Sequence, residues 1–185
     1  FDRFISKKIP YVTSDNYQGG KLAVELLLEL GCTTIAHMCG SLNLDMLANQ
    51  RHRAFMDVAE ERKVPYFTVE TDINVFEVKK YEELLHDLFS RQPDVDGLFL
   101  NSDIMAVAAM KVCSKLGKRV PEDVKIIGYD DVSIASLVSP EITTVRQPLE
   151  QMSELSVRLI EGLVDKKPVS VENCLPVELI RRGTA

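Results

Sequence analysis

Two hydrophobic rhythms alternate along the first two thirds of the chain. Short apolar runs fall at 9–14, 34–38, 64–69, 95–100 and 124–127, the length and β-branched character of buried strands. Between them, apolar residues recur at helical spacing: Leu22, Leu26, Leu27 and Leu30 within 18–30, Phe55, Val58 and Ala59 within 48–62, Val78, Tyr81, Leu85 and Leu88 within 78–90, then 104–116. Gly31 closes the first helix, and Gly117 with Pro121 ends the fourth, because glycine accepts the left-handed cap and proline cannot continue the ladder. A strand–helix pair repeated in this way predicts a parallel sheet with right-handed crossovers. After Asp131 the rhythm changes. A short helix at 133–138, a break at Ser139-Pro140, a strand at 142–145, an amphipathic helix at 149–164 carrying Leu155, Leu159 and Leu163, and a last strand at 175–180 do not continue the repeat. The chain is expected to leave the five-stranded lobe and return to it, the wiring of a two-lobed binding protein.

Polar residues collect where the predicted strands end. They are Asp15 and Asn16, Gly40 followed by Arg51, Ser102 and Asp103, and Asp130 with Asp131, joined by Asp2 and Arg3 before the first strand and Gln147 in the crossover. In open α/β sheets ligands bind at the carboxyl ends of the strands, so all of these are expected on one edge of one sheet. Each has a plainer reading. Asp15 or Asn16 can cap the helix at 18–30, Asp103 can cap the helix at 104–116, and only one of the adjacent acids Asp130 and Asp131 is expected to face a site, because successive side chains diverge. Arg51 lies near a helix N-terminus, where a cation opposes the dipole; it is either an ordinary surface arginine or held there by something else. A guanidinium with carboxylates and amides suits a polyhydroxylated ligand, and an aromatic such as Phe76 suits the C–H face of a sugar ring. No G-x-S-x-G, Walker, G-x-G-x-x-G or H-E-x-x-H motif occurs, so catalysis fits badly.

Composition narrows the picture. The 185 residues, 45% hydrophobic and 27% charged, are enough for one domain with a real core. A net charge of −6 argues against the segment gripping nucleic acid by itself, because neutralising phosphates needs a clustered basic surface. Lys7-Lys8 and Lys166-Lys167 read as solvated turns. Cys32, Cys39, Cys113 and Cys174 show no C-x-x-C or Cys/His metal spacing and are expected as free thiols in a reducing compartment. His37, between Ala36 and Met38, is expected to be a satisfied core or edge histidine. No metal and no cofactor are expected, and no stretch reaches the length of a membrane span. The opening Phe1-Asp2-Arg3, without Met, suggests a fragment.

Five blocks in order carry a resemblance: I-P-Y-V-T-S-D-N-Y-Q-G-G-K-L-A (9–23), Q-R-H-R-A-F (50–55), N-S-D-I-M-A-V-A-A (101–109), R-V-P-E-D-V-K-I-I-G-Y-D-D (119–131) and I-T-T-V-R-Q-P (142–148). Together they resemble the effector-binding core of the LacI/GalR transcriptional regulators. The resemblance implies a periplasmic-binding-protein-like type I fold, a three-layer α/β/α arrangement with a parallel sheet. It implies the end of an N-terminal lobe at 1–14, a C-terminal lobe at 15–145, a crossover and N-terminal-lobe helix at 146–166, and a return to the C-terminal lobe at 167–185, with the DNA-binding domain absent. It further implies a cytoplasmic homodimer that is no enzyme, binds a small effector of the sugar class between its lobes and controls DNA binding allosterically. By position, Asp2 and Arg3 resemble a sugar-contacting pair, Arg51 the effector-binding arginine, Asp130 the ligand-binding aspartate and Gln147 a crossover contact. Ser102 stands where many members have Asn, and Phe76, or in its place Val75 or Ile73, corresponds to a stacking aromatic. The partner subunit is implied near 104–116 and 133–138. Two other classes are weighed: a solute-binding protein for sugar transport, which a signal peptide in the gene would favour, and an Mg²⁺-dependent phospho-acceptor using Asp15 or Asp130. For an acidic chain without the DNA-binding segment, the expected outcome of a gel-shift titration with operator DNA is background binding; a tight, sequence-specific shift overturns that expectation.

Overall fold

A computed structural model describes residues 9–71 and 77–185. Asp2, Arg3 and Phe76, with Ile73 and Val75, lie outside the described residues. The apolar runs form strands and the periodic stretches form helices: β1 (Tyr11–Ser14), α1 (Asn16–Glu29), β2 (Ile35–Cys39), α2 (Asn49–Arg62), β3 (Tyr66–Glu70), α3 (Val78–Arg91), β4 (Gly97–Leu100), α4 (Asp103–Lys115), β5 (Lys125–Asp130), β6 (Thr143–Arg146), α5 (Leu149–Val164), β7 (Glu172–Leu175) and β8 (Glu178–Ile180), with a 3-10 turn at Ser133–Ser136. Six strands make one sheet in the order β3-β2-β4-β5-β6-β8. Its strands are parallel except β8, which runs antiparallel to β6. Helices cover both faces, so the architecture is a three-layer α/β/α arrangement. Ile35, Phe99, Ile127, Tyr129 and Val145 pack under α1 and α2, while Ala36, Met38, Leu98, Leu100 and Ile126 pack under α3 and α4. Alternate residues of each strand thus serve opposite cores, and each large side chain fully removed from water contributes about 1.5–3 kcal/mol.

The repeat misleads in two places. β1 is not part of the six-stranded sheet; it pairs in parallel with β7, Tyr11 opposite Glu172 and Ser14 opposite Leu175. Hydrophobic periodicity reports that a segment is a strand, not which partner it finds, so Asp15 and Asn16 do not share a sheet with the other strand ends. The single strand expected at 175–180 is two strands parted at Pro176, which has no N–H for a ladder. One belongs to each sheet. α5 buries Met152, while Val157, Ile160, Leu163 and Val164 are exposed.

Helix ends follow local chemistry. Asp15 caps α1, its Oδ1 accepting from the Gln18 N–H at 2.9 Å. At α4 the cap is Ser102, whose Oγ accepts from the Met105 N–H at 3.3 Å; the expectation that Asp103 caps this helix fails. Asp103 instead turns into the core, fully buried, where it accepts from Thr144 Oγ1 at 2.6 Å and the Val132 N–H at 2.8 Å. It thereby ties α4 to the end of β5 and to β6. Gly128 of β5 makes room for it, because a Cβ there would collide with Asp103 Oδ1. Burial pushes the Asp103 carboxyl up to about 6; the hydrogen bonds from Thr144 and Val132 oppose that shift, and the charges of Asp130 and Asp131 add to it.

Gly128→Ala should cost about 1–3 kcal/mol, the range for overpacking a tight core, read as a lower urea midpoint at unchanged slope. Asp103 gives a pH signature. Its proton is held in the fold to about pH 6 but released near about pH 3.9 in the unfolded chain. The stability it contributes is therefore complete below the lower value and lost as pH rises through the upper one. Relative to Asp103→Asn, the unmodified protein should lose up to about 3 kcal/mol between those two values, measured by urea denaturation across that window. A pH-independent difference would contradict it.

Candidate functional site

The two sheets meet at a polar seam, and Arg51 lies at its centre. It is the third residue of α2 and only 4% exposed. Its Nε donates to Asn16 Oδ1 at 2.7 Å. Its Nη1 donates to the Asn101 carbonyl at 3.0 Å and more weakly to Asn101 Oδ1 at 3.4 Å. Beneath it, the Tyr129 ring lies 3.5 Å from the guanidinium carbon, a cation–π contact strengthened by burial. Asn16 is itself oriented, its amide donating to Thr13 Oγ1 at 3.2 Å and the Ser14 carbonyl at 3.1 Å. Helix α1 closes on this arrangement through Gly19 and Gly20. A Cβ on Gly19 would stand 2.5 Å from the Tyr129 hydroxyl, and one on Gly20 would stand 2.5 Å from the Arg51 carbonyl. The pair of glycines is what lets α1, α2 and β5 converge. Asn16 and Asn101 engage Nε and Nη1 of the planar fork.

A second chain of hydrogen bonds crosses the same seam. Ser14 Oγ of β1 donates to Gln147 Oε1 at 2.7 Å, and Gln147 Nε2 donates to Asp130 Oδ1 at 2.7 Å. Gln147, just before α5, thus joins the end of β1 to the end of β5. Asp130 and Asp131 both have positive φ, 102° and 56°, and they diverge. Asp131 accepts from Arg146 Nε at 2.6 Å and pairs with Arg182 Nη2 at 2.7 Å. Burial alone would raise its pKa, but the hydrogen bonds from those two arginines outweigh burial and hold it below the usual carboxylate range. Asp130 and Gln147 line a cleft of about 470 Å³ with Arg146, Pro148, Val177 and Glu178. Arg51 does not line this cleft; it is linked to it through Asn16, Ser14 and Gln147.

Of the residues singled out in the sequence, Arg51, Asp130 and Gln147 come together in this network. Ser102 does not project into it, because its hydroxyl is engaged by the start of α4; its neighbour Asn101 faces Arg51 instead. Asp2, Arg3 and Phe76 fall outside the described residues. The sequence patterns did not single out Ser14, Asn101 and Tyr129 as site residues, and they left Asn16 as either a helix cap or a strand-end polar group. Their one available signal was position at a strand's carboxyl end. The histidine expectation also changes. His37 is fully buried, with Nε2 lacking a hydrogen-bond partner, and it meets His52 and Cys39 in a buried cluster of metal-ligand type. The spacing rules missed this because the third member comes from another element.

With this geometry in place, comparisons with known proteins are specific. A periplasmic binding protein-like domain model matches residues 24–185. The chain is 36% identical over 184 residues to the ribose operon repressor of Halalkalibacterium halodurans, covering 99% of this chain and 54% of that protein. It is 31% identical to the sucrose operon repressor of Streptococcus mutans, covering 97% and 54% respectively. A crystal structure of a periplasmic binding protein/LacI transcriptional regulator from Alkaliphilus metalliredigens, complexed with D-xylulofuranose, superposes with a TM-score of 0.88 at 31% identity, covering 100% of this chain and 68% of that one. The chain spans about half the length of the repressors it matches. By this similarity in sequence and fold, the chain belongs to the periplasmic-binding-protein-like domain family, as an effector-binding core of the LacI/GalR type.

Proposed function

We propose that this chain is the sugar-sensing part of a transcriptional repressor: a small polyhydroxylated effector binds at the seam between the two sheets and shifts a dimer between DNA-competent and DNA-incompetent states. The observation that carries the reading is the pre-set guanidinium of Arg51. Its orientation is held by Asn16, Asn101 and Tyr129, so little conformational freedom is lost when a ligand hydroxyl accepts from the guanidinium. Asp130 supplies the complementary acceptor, positioned through Gln147 and Ser14. Both groups are anchored by residues from each sheet, so a ligand that contacts them has a different interaction energy at each relative sheet angle. That difference is what an allosteric switch requires. The relatives support the chemical class: two are repressors of ribose and sucrose operons, and a structural neighbour holds D-xylulofuranose.

In this reading 1–14 ends an N-terminal lobe, 15–145 forms the C-terminal lobe, and 146–166 crosses between them; within 167–185, β7 serves the first lobe and β8 the second. Asp2, Arg3 and Phe76 complete the effector site. DNA contact and the cytoplasmic setting belong to the longer protein, and among the described residues no helix is long and apolar enough to cross a membrane.

Calorimetry of the full-length protein with ribose, sucrose, cellobiose and xylulose should yield saturable binding to at least one. Arg51→Ala should weaken that binding by about 2–5 kcal/mol, the range for truncating one partner of a buried hydrogen-bonded charge. An unchanged affinity in a folded variant would remove Arg51 from the site.

A further inference from the structure

Three metal-ligating side chains converge at the carboxyl end of β2, from residues the effector network does not use. His37 and Cys39 are two apart on one strand and therefore share a face. His52 reaches them from the first turn of α2. One ring nitrogen from each histidine and the Cys39 sulfur lie within 4.8 Å of one another, and all three residues are buried. The His37 and His52 Nδ1 atoms are 3.1 Å apart. Two imidazole nitrogens bound to one tetrahedral zinc ion at ordinary Zn–N lengths stand about 3.3 Å apart, so the pair is already close to ligand spacing.

A simple hydrogen bond between the rings explains less. One Nδ1–H can donate to the other Nδ1, and His37 Nε2 stays buried without a partner whether Nδ1 meets a proton or an ion. The ring pairing, however, makes no use of Cys39, whose sulfur lies within 4.8 Å of a ring nitrogen of each histidine. The His37 ring is also fixed in place, stacked on Phe99 with centroids 4.5 Å apart and an interplanar angle of 12°. A rigid, buried, neutral imidazole is a poor choice for filling a core but a good preset ligand.

The electrostatics are compatible with a cation. Burial is the main cause that lowers the pKa of both histidines, with His52 and Arg51 adding to the effect at His37, so both rings keep a lone pair at neutral pH. Glu70 opposes the shift at His52 and stands across the β2–β3 ladder from Cys39, so a carboxylate flanks the cluster. Arg51 is the opposing charge. Burial and Glu70 push the Cys39 thiol up to about 12; the bound ion must therefore displace the thiol proton to solvent, forming one metal–sulfur bond and releasing one proton.

We propose that His37, Cys39 and His52 form a binding site for a borderline-soft divalent transition-metal ion of the Zn²⁺ class, with its fourth position open. Two imidazoles and a thiolate are the donor set such ions prefer over Mg²⁺ or Ca²⁺. The proposal does not depend on the sugar-sensing reading, and its test reads metal alone.

The protein, stripped with a chelator, is titrated with Co²⁺ and then Zn²⁺. The expected result is one equivalent of Co²⁺ with a thiolate-to-cobalt charge-transfer band in the near ultraviolet, its displacement by Zn²⁺, and a rise in Tm with Zn²⁺. Cys39→Ser and Cys39→Ala abolish the band, while Cys174→Ser, at the exposed cysteine, leaves it intact. His52→Gln, at the cluster's outer side with 6% exposure, loses stoichiometric binding while keeping its circular dichroism. No band, a band lost with Cys174→Ser, or binding unchanged in Cys39→Ser and His52→Gln overturns the proposal.

Discussion

A buried guanidinium resting on a tyrosine ring organises this molecule. Taking the Arg51 charge out of water is unfavourable, and among the described residues no carboxylate pairs with it. What offsets the cost is a set of neutral acceptors and a π face: Asn16, the Asn101 carbonyl and Tyr129. Those partners come from the β1–α1 junction, the end of β4 and β5. Keeping the arginine satisfied therefore requires three elements from two sheets to stay in register. Gly19 and Gly20 are the steric condition for that meeting, because any side chain there would wedge α1 away from Tyr129 and from the backbone of α2.

The same logic explains the division of labour between neighbouring residues at the strand ends. Ser102 serves the helix and Asp103 serves the core, leaving Asn101 to serve the arginine. Asp131 is held by Arg146 and Arg182, leaving Asp130 to the seam through Gln147. At each strand end some residues hold the turn and an adjacent one presents a polar atom to the seam. The polar atoms at this seam are thus fixed in orientation by their neighbours. The polar seam spans two separate sheets, and in the proposed reading its occupant is sensitive to the angle between them.

The histidine–cysteine cluster obeys a different constraint. It lies one residue along α2 from Arg51 and inside the layer of Phe55 and Phe99, where aliphatic side chains would pack without an orphaned nitrogen. The Arg51 network and this cluster share the first turn of α2, and the Arg51 charge acts on His37, so the two are electrostatically coupled.

Much of this was legible in the chain itself. Alternating strand and helix periods, with Gly and Pro punctuation, determined the α/β class and most of the element positions, because burial of a strand or helix face leaves a local periodic trace. The motif blocks determined the family and pointed to Arg51, Asp130 and Gln147. Tertiary structure alone decided that β1 joins β7, that Pro176 splits the last strand between two sheets, that Ser102 and not Asp103 caps α4, and that His37, Cys39 and His52 share one volume. Each of these depends on which distant segment supplies a partner, and a one-dimensional pattern of apolar and polar positions records how much a residue is buried without recording against what.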